Sequence, residues 1–244
     1  TIHNEVLHLV REGHDIFNGI SRTTKGYPIG YFYGFVSDGI YQTDTEIRQS
    51  PVNEINEVKP GDIKYRDING DGRITQDDRT MIGNPTPDFI YGISLNLNYR
   101  GFDLGVDLTG VYGNEIFRDW NRGSFSQFNF QKHQLDRWHG VGTSNWEPII
   151  SSRANNRLVS SYYIEDGSFF RVRNIQLGYR FNQQTLERLG LKSLRIFLNA
   201  QNPWTFTNAT GFTPEIGGSA TSFGVDGGTY PVPAIYTLGV NLNF

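Results

Sequence analysis

The sequence predicts an all-β fold built from antiparallel strands and long loops, and three observations support this prediction. The composition is rich in turn and strand formers, with 28 Gly, 17 Phe, 13 Tyr and 4 Trp. Several segments alternate between apolar and polar residues, which is the pattern of a strand with two different faces. Long polar segments separate these strands, whereas most loops in compact domains have only a handful of residues.

Charge and residue usage exclude several classes of protein. The chain carries 22 Lys and Arg against 25 Asp and Glu, a balance that argues against nucleic-acid binding. Because it has no Cys, disulfide scaffolds, thiol catalysis and cysteine zinc sites are excluded. Its 5 His lack zinc-binding spacing, and the common catalytic and phosphate-binding motifs are missing, so we do not expect an enzyme. No apolar run suits a transmembrane helix, and no signal peptide is visible at Thr1, so we expect the natural start to lie upstream.

The elements before residue 88 are weakly marked, and those after it are clear. Residues 1–10 and 27–35 have strand character, but the pattern leaves open whether one or both cross a membrane. Residues 88–99 and 101–112 form a predicted hairpin with a very short turn at Arg100 and Gly101. One face of this hairpin carries Phe89, Tyr91, Ile93, Leu95, Leu97 and Tyr99, followed by Phe102, Leu104, Val106 and Leu108.

Three more strands are predicted at 168–181, 194–205 and 233–244, with a short helix ending at Gly190 between the first two. The last strand suits a tilted membrane crossing, for which about 9–11 residues are needed. Its apolar face carries Tyr236, Leu238, Val240, Leu242 and Phe244, and its polar face carries Thr237, Gly239, Asn241 and Asn243.

The composition of the two faces favours a membrane β-barrel over a soluble β-sandwich, which stays the alternative. The polar faces hold Asn, Gly, Ser and Gln rather than the Lys and Glu of a solvated surface, and aromatic residues flank the aliphatic bands. If the chain ends in the periplasm, the loops 38–87, 113–167 and 208–232 lie outside the cell. The short turns near 100 and at 182–192 then lie in the periplasm.

Four long strings of the sequence resemble a known family over nearly the whole chain. They are GYPIGYFYGFVSDGIYQTDTEI, GDIKYRDINGDGRITQDDRTMIGNPTPDFIYGISLNLNYRGFDLGVDLTGVYGNEIF, DGSFFRVRNIQLGYRF and LRIFLNAQNPWTFTNATGFTPEIGG, followed by a strand ending in Phe. In this order they resemble the C-terminal third of the SusC/RagA-type TonB-dependent outer-membrane transporters of Bacteroidetes.

The resemblance implies that residues 1–244 form part of a 22-stranded barrel that imports a glycan or an oligopeptide across the bacterial outer membrane. The implied partners are the remainder of the barrel and its plug domain, a SusD-like surface lipoprotein, TonB and outer-membrane lipid. We find no plug segment or TonB box in the chain, and an open sheet in lipid would leave its edges unpaired, so we expect one piece of a larger barrel. The alternative is a secreted calcium-dependent carbohydrate-binding or adhesion domain, with an enzyme as the third reading.

The sharpest chemical motif is residues 67–78, which match the spacing of an EF-hand calcium loop. The proposed Ca²⁺ ligands are Asp67, Asn69, Asp71, Arg73 and Asp78. Asp78 departs from the usual Glu at the last position, and the preceding residues are extended rather than helical, so the loop is closer to a dockerin-like one. The alternative is an Asx-rich turn that needs no metal.

Two further groups of side chains are candidates for function. Aromatic residues of the loops either stack on a ligand or the lid, or pack the loops together, and we favour packing. They are Trp120, Phe125, Phe128, Phe130, Trp138, Trp146 and Tyr230. Polar-face residues either line the solute path or hydrogen-bond to the plug or to neighbouring strands, which we favour for several of them. They are Asp103, Asp107, Asn174, Gln176 and Arg180. Phe244 resembles the terminal aromatic signal for barrel assembly, so its deletion is expected to reduce outer-membrane insertion.

Overall fold

The computed structural model describes residue 13 and residues 15–120, 130–187 and 190–244 of the chain. The chain divides into two compact units. The described residues of the loop unit fall within 1–86, 115–165 and 216–228, and those of the sheet unit fall within 87–114, 166–215 and 229–244.

Strands dominate both units. In chain order they are β1 (Ile16–Phe17), β2 (Ser21–Thr23), β3 (Tyr31–Gly34), β4 (Ser37–Ile40), β5 (Val52–Asn53), β6 (Ile63–Tyr65), β7 (Arg73–Ile74), β8 (Thr80–Gly83), β9 (Phe89–Tyr99), β10 (Phe102–Tyr112), β11 (Glu115–Arg118), β12 (Ile164–Asp166), β13 (Phe169–Arg180), β14 (Ser193–Thr207), β15 (Val225–Asp226) and β16 (Ile235–Asn243). The α-helices are α1 (Asp44–Gln49) and α2 (Gln183–Glu187), and 3₁₀ helices cover Gln76–Asp78, Lys132–Asp136, Asn155–Arg157 and Ser161–Tyr163. None of the helices in the described residues has the length and hydropathy of a membrane span.

The sheet unit contains one antiparallel sheet in the order β16-β14-β13-β10-β9. Strands that follow one another among these five are paired, so β9 and β16 are the two edges of the sheet. The five strands are those that the alternation predicts, with ends that agree to within about two residues. The predicted all-β antiparallel fold is therefore confirmed.

The turn between β9 and β10 explains their fixed register. Tyr99 pairs with Phe102, so Arg100 and Gly101 form a two-residue loop. Both residues have positive φ, 47° and 90°. Two positive φ angles give the turn type whose twist matches that of paired strands, and the predicted very short turn is confirmed.

The two faces of this sheet differ sharply in chemistry. One face carries the predicted apolar rows, and many of these side chains are exposed, including Leu97 at 51% and Leu238 at 68%. The rings of Phe89 and Tyr112 stack at one end of the rows, with centroids 5.1 Å apart. Contiguous exposed apolar surface of this kind marks a contact with a membrane or another protein.

The loop unit, which contains residues 27–35 and most of the long predicted loops, has its own hydrophobic core. Short strands position this core, which is built around Phe32, Phe35, Ile40, Ile63, Tyr65, Ile74, Phe117, Tyr162 and Tyr163. The strand β3 pairs with β2 and β8 in a four-stranded sheet of this unit. The strand within residues 27–35 therefore lies in this sheet and not in the long sheet. The other early segment, 1–10, lies outside the described residues.

Candidate functional site: the polar face of the long sheet

A row of hydrogen bonds crosses four strands on the polar face. The Ser94 hydroxyl of β9 donates to Asp107 Oδ1 of β10 at 2.7 Å. Asn174 of β13 donates to Asp107 Oδ2 at 3.5 Å, and Asn199 of β14 donates to Asn174 Oδ1 at 2.8 Å. Cross-strand polar pairs of this kind hold neighbouring strands in one register.

A second link spans two strands that are not neighbours. Asp103 of β10 forms an ion pair with Arg195 of β14, with Arg195 Nε 2.9 Å from Asp103 Oδ1. The strand between them, β13, presents Gly178 at this level. A Cβ on Gly178 would lie 2.6 Å from Asp103 Oδ1 and from Arg195 Nη2. The ion pair therefore depends on the missing side chain of Gly178.

A third link lies toward the other end of the same strands. Arg171 of β13 is 4% exposed, and its Nε donates to the Thr205 hydroxyl at 2.8 Å. Its guanidinium also forms an ion pair with Glu215. Arginine suits such positions because its planar fork presents several donors in fixed directions.

The alternation of β10 and β13 places all five predicted polar-face residues on one face. Asp103 and Asp107 alternate along β10, and Asn174, Gln176 and Arg180 alternate along β13. Asp107 and Asn174 bond to side chains of neighbouring strands, and Asp103 bonds across β13 to Arg195 of β14. A position on a solute path stays a prediction for all five.

Sequence reasoning missed the partners of these residues. The third link, of Arg171, contains none of the five, and Ser94, Arg195 and Asn199 complete the first two links but were not singled out as candidates. Their signal was present, because each of them alternates with apolar residues on its strand. The sequence alone did not reveal which polar residues of different strands lie at the same level.

A polar recess opens on this face where two adjacent strands are irregular. Its volume is about 510 Å³, and its lining includes Gly92, Asp107, Thr109, Arg173, Gln201 and Asn202. Arg173 is the extra residue of β13 against β10, because Val172 pairs with Leu108 and Asn174 pairs with Asp107. On β14, Asn202 has a positive φ of 49°.

The segment proposed as a calcium loop is a tightly hydrogen-bonded turn. Asp67 Oδ1 accepts from the Gly70 N–H at 2.7 Å, and Asp67 Oδ2 accepts from the Gly72 N–H at 2.8 Å. Asn69 and Asp71 accept from the backbone N–H two residues ahead of each, both at 2.9 Å. These are the contacts of the Asx-rich turn.

Asp78 closes the same segment from its C-terminal end. Its buried carboxylate accepts from the backbone N–H groups of Ile68 at 2.8 Å and Thr75 at 2.7 Å, and from that of Asn69 at 3.4 Å. Burial works against its charged form, but these backbone donors outweigh burial and hold the pKa of Asp78 below its ordinary value. No group of three or more His, Asp or Glu able to hold a metal occurs in the described residues. Calcium binding by Asp67, Asn69, Asp71, Arg73 and Asp78 stays a prediction.

The loop aromatics fall into different environments. Trp138 packs against the core of the loop unit, and its Nε1 donates to Gln42 Oε1 at 3.0 Å. A Cβ on Gly61 would lie 2.5 Å from Trp138 Cε3, so the ring lies directly on the backbone. Trp146 is exposed, although its ring centroid lies 5.7 Å from that of Tyr162. Tyr230 is 85% exposed.

The environments of the remaining predicted aromatic residues do not distinguish between packing and ligand contact. The backbone N–H of Trp120 donates to the Asp226 carbonyl at 3.0 Å, and its side chain is half-buried. Phe130 is exposed, and Phe125 and Phe128 lie outside the described residues. Phe244 directly follows β16 with its ring exposed, and its role in assembly stays a prediction.

Five long antiparallel strands with one exposed apolar face and one hydrogen-bonded polar face are the pattern of a membrane β-barrel wall. Comparison with known proteins agrees with this class. The chain is 30% identical over 241 residues to TonB-dependent receptor P3 of Formosa agariphila, covering 95% of this chain and 24% of that protein. It is 33% identical to TonB-dependent receptor P39 of the same organism, covering 99% of this chain and 27% of that protein. It is 24% identical to TonB-dependent receptor SusC of Bacteroides thetaiotaomicron, covering 99% of this chain and 23% of that protein.

Among solved structures, the RagAB peptide transporter matches with a TM-score of 0.71 at 22% identity, covering 95% of this chain and 24% of that one. No protein-family model matches the chain. The chain belongs to the TonB-dependent receptors of the SusC/RagA type. It spans about a quarter of the length of the curated relatives it matches.

Proposed function

We propose that this chain forms part of the wall and the outer loops of an importer in the bacterial outer membrane. The importer takes up an oligomeric nutrient, a glycan or an oligopeptide, with energy relayed by TonB. A SusD-like lipoprotein covers its outer opening, and a plug domain closes its 22-stranded barrel from within. The chain contributes no catalysis in this account.

The observation that carries this proposal is the two-faced sheet of the sheet unit. Its exposed apolar rows suit a lipid environment, because lipid-facing and lumen-facing residues alternate along the strands of membrane barrels. Its polar face is tied across strands by Asp107 and by the pair of Asp103 with Arg195. Such links keep the wall rigid while the plug and the lid move. The relatives are named as TonB-dependent receptors, and the matching solved structure is a peptide transporter. These names support the proposal of an importer.

A fractionation and uptake experiment tests the proposal. The natural full-length protein is expected in the detergent-extracted outer-membrane fraction, and deletion of its gene is expected to abolish growth on its nutrient. Loss of TonB is expected to have the same effect on growth, because import then lacks its energy source. Recovery of the protein as a soluble secreted monomer would contradict the proposal and favour an adhesion or carbohydrate-binding domain.

A further inference from the structure

We propose that the end of the polar face around Arg180 docks the plug domain of the barrel, by binding an acidic side chain of the plug that lies beside an apolar one. The inference rests on the proposed function, because a plug domain inside the barrel is part of that function. It goes beyond that function by assigning the docking surface on the wall and the chemistry of the segment that occupies it.

Two arginine residues lie directly opposite each other at this end of the sheet. Arg180 of β13 pairs with Arg195 of β14, and both alternate with the apolar rows of their strands. Like charges at directly opposite positions destabilise a pair of strands. Asp103 forms an ion pair with Arg195, but in the part of the chain that the structure describes no carboxylate forms an ion pair with Arg180. Arg180 is therefore an exposed cation without a partner of opposite charge.

Asp103 does not compensate both arginines. Its two carboxylate oxygens each accept from the Arg195 guanidinium, Oδ1 from Nε at 2.9 Å and Oδ2 from Nη2. This two-point geometry is the strong form of the arginine–carboxylate pair. The three side chains together carry a net charge of +1, which favours a negatively charged group on the molecule that meets this surface.

A flat aromatic surface adjoins this charge. Phe197 lies two residues after Arg195 on the same face of β14, and the Arg195 Cζ lies 4.9 Å from the centroid of its ring. A Cβ on Gly239 of β16 would overlap the Phe197 ring, so the ring lies across the neighbouring strand. Aromatic and arginine side chains are enriched among the residues that anchor protein–protein interfaces. The surface therefore suits contact with a protein segment.

The position of the surface points to a segment of the same protein. The Arg180 N–H donates to the Gly101 carbonyl at 2.7 Å, so the surface lies at the end of the sheet that carries the short turn. In the proposed barrel this end is the periplasmic one, and the polar face lines the lumen. The matched region covers only 23–27% of each curated relative, so most of such a protein lies outside it. A plug that closes the barrel from within is the part that meets this face.

A passing solute is the poorer occupant of this surface. Contact with a protein removes water from Arg180, and a desolvated guanidinium without a carboxylate is unfavourable. An acidic side chain of the plug supplies that carboxylate in the resting transporter, whereas a solute supplies it only during transport. The like charges of Arg180 and Arg195 therefore indicate a resident partner.

Charge reversal at Arg180 separates docking from a role within the wall. Arg180→Glu places a carboxylate opposite Arg195, so the wall itself is not expected to lose stability. Against an acidic segment of the plug the same carboxylate is repulsive, so the seal weakens. We expect the ion conductance of the full-length transporter in a planar lipid bilayer without nutrient to rise about tenfold, the effect of one lost hydrogen bond between charged groups.

A matched control makes the same change of charge nearby. Lys192 is exposed, directly precedes β14 and falls on the alternation of its apolar row, so Lys192→Glu is expected to leave the conductance unchanged. A conductance of Arg180→Glu equal to that of the wild type would overturn the inference, as would an equal rise in both variants. Heat-modifiable migration on a gel verifies that each barrel has folded. Arg180→Gln, with a smaller expected rise, provides the test if Arg180→Glu does not assemble.

Photo-crosslinking identifies the occupant directly. Benzoylphenylalanine in place of Arg180, in the full-length protein in outer membranes, is expected to crosslink to a plug peptide that contains Asp or Glu, identified by mass spectrometry. Crosslinks to the nutrient, or only to neighbouring strands of the wall, would overturn the inference. Nutrient uptake by wild-type cells would still uphold the import function in that case, so the two proposals fail separately.

Discussion

Asp103 and Arg195 form an ion pair across the whole width of an intervening strand. Their strands, β10 and β14, both pair with β13 and not with each other. The pair exists because β13 presents Gly178 at the crossing point, where a Cβ would lie 2.6 Å from both side chains. A glycine in a strand interior is normally unfavourable, and here it permits one link to join three strands.

Adding a side chain at this glycine is expected to break the link. Gly178→Val forces Asp103 and Arg195 apart, because all of the nearest atoms belong to these two side chains. We expect a loss of about 1 kcal/mol from the partly exposed pair, measured as a lower unfolding temperature of the detergent-solubilised protein. Gly105→Val is the control on the same face, since its Cβ meets only the flexible Asn96 side chain.

A double-mutant cycle separates the ion pair from other effects of the substitution. Asp103→Asn and Arg195→Gln are expected to show a coupling energy in the wild-type background and none in the Gly178→Val background. Coupling of equal size in both backgrounds would contradict the role assigned to Gly178.

The stability of the 67–78 segment is expected to depend on pH through Asp78. The pKa of Asp78 in the folded protein lies below its ordinary value of about 3.9. The Asp78 carboxylate therefore contributes its full stabilisation of the folded segment at pH values above its ordinary pKa. This stabilisation is lost as the pH falls through the lower pKa of the folded state. Hydrogen exchange of the Ile68 and Thr75 amides should accelerate, relative to intrinsic rates, below about pH 4.

Replacement of Asp78 is expected to destabilise the 67–78 segment at neutral pH as well. Asp78→Asn removes the charge that three backbone N–H groups share, and we expect local destabilisation of about 2 kcal/mol. The neighbouring Asp77→Asn is the control, because Asp77 is exposed on the same 3₁₀ helix. Equal amide exchange in the two variants would show that Asp78 does not hold the turn together.

The aromatic residues of the loops are expected to differ in their effect on stability. Trp138→Ala removes a ring that contacts the Gly61 backbone and a hydrogen bond to Gln42, so we expect a loss of about 3 kcal/mol. Tyr230→Ala serves as the comparison, because its side chain is 85% exposed and its removal should cost little. Thermal unfolding measures both, and similar effects of the two changes would contradict loop packing as the role of Trp138.

Calcium binding by residues 67–78 remains a proposal with a direct test. Asp71 is exposed and Asp67 is half-buried, and each carboxylate oxygen retains a lone pair beyond its backbone hydrogen bond. Asp78 is already engaged by three N–H groups, so we expect weak binding, with a Kd on the order of 10⁻⁴–10⁻³ M. Calorimetric titration of Asp67→Ala and Asp71→Ala should show no binding, while Asp77→Ala should match wild type. Identical isotherms for all four proteins would end the proposal.

The long strands were predictable because each is long enough to show its period. Phe89–Tyr99 and Phe102–Tyr112 alternate over 11 residues each, and the turn between them carries a glycine where a positive φ is required. Among the short strands of the loop unit, β3 (Tyr31–Gly34) lies within the segment 27–35 that showed strand character, but an element such as Val52–Asn53, with only 2 residues, was not predictable. Periodicity needs more residues than such elements contain.

The sequence predicted which residues lie on the polar face of the candidate site, but it did not predict which of them contact each other. Alternation identified the polar faces, including those of Asp107 and Asn174, but it carries no information about relative level across strands. That level depends on the bulge at Arg173, which nothing in the local sequence marks. The segment around Asp67 was ambiguous because the same Asp, Asn and Gly residues serve an Asx-rich turn and a calcium loop.

Site-directed labelling along β9 tests the central claim most directly. The 244 residues contain no Cys, so a single cysteine at 95, 96, 97 or 98 is the only thiol of this chain. With a spin label in the membrane-embedded protein, positions Leu95 and Leu97 are expected to be accessible to oxygen dissolved in lipid. Positions Asn96 and Asn98 are expected to be accessible to a water-soluble nickel complex. Accessibility without this alternation, or alternation with the opposite sign, would contradict a wall that faces lipid on one side and a wet pore on the other.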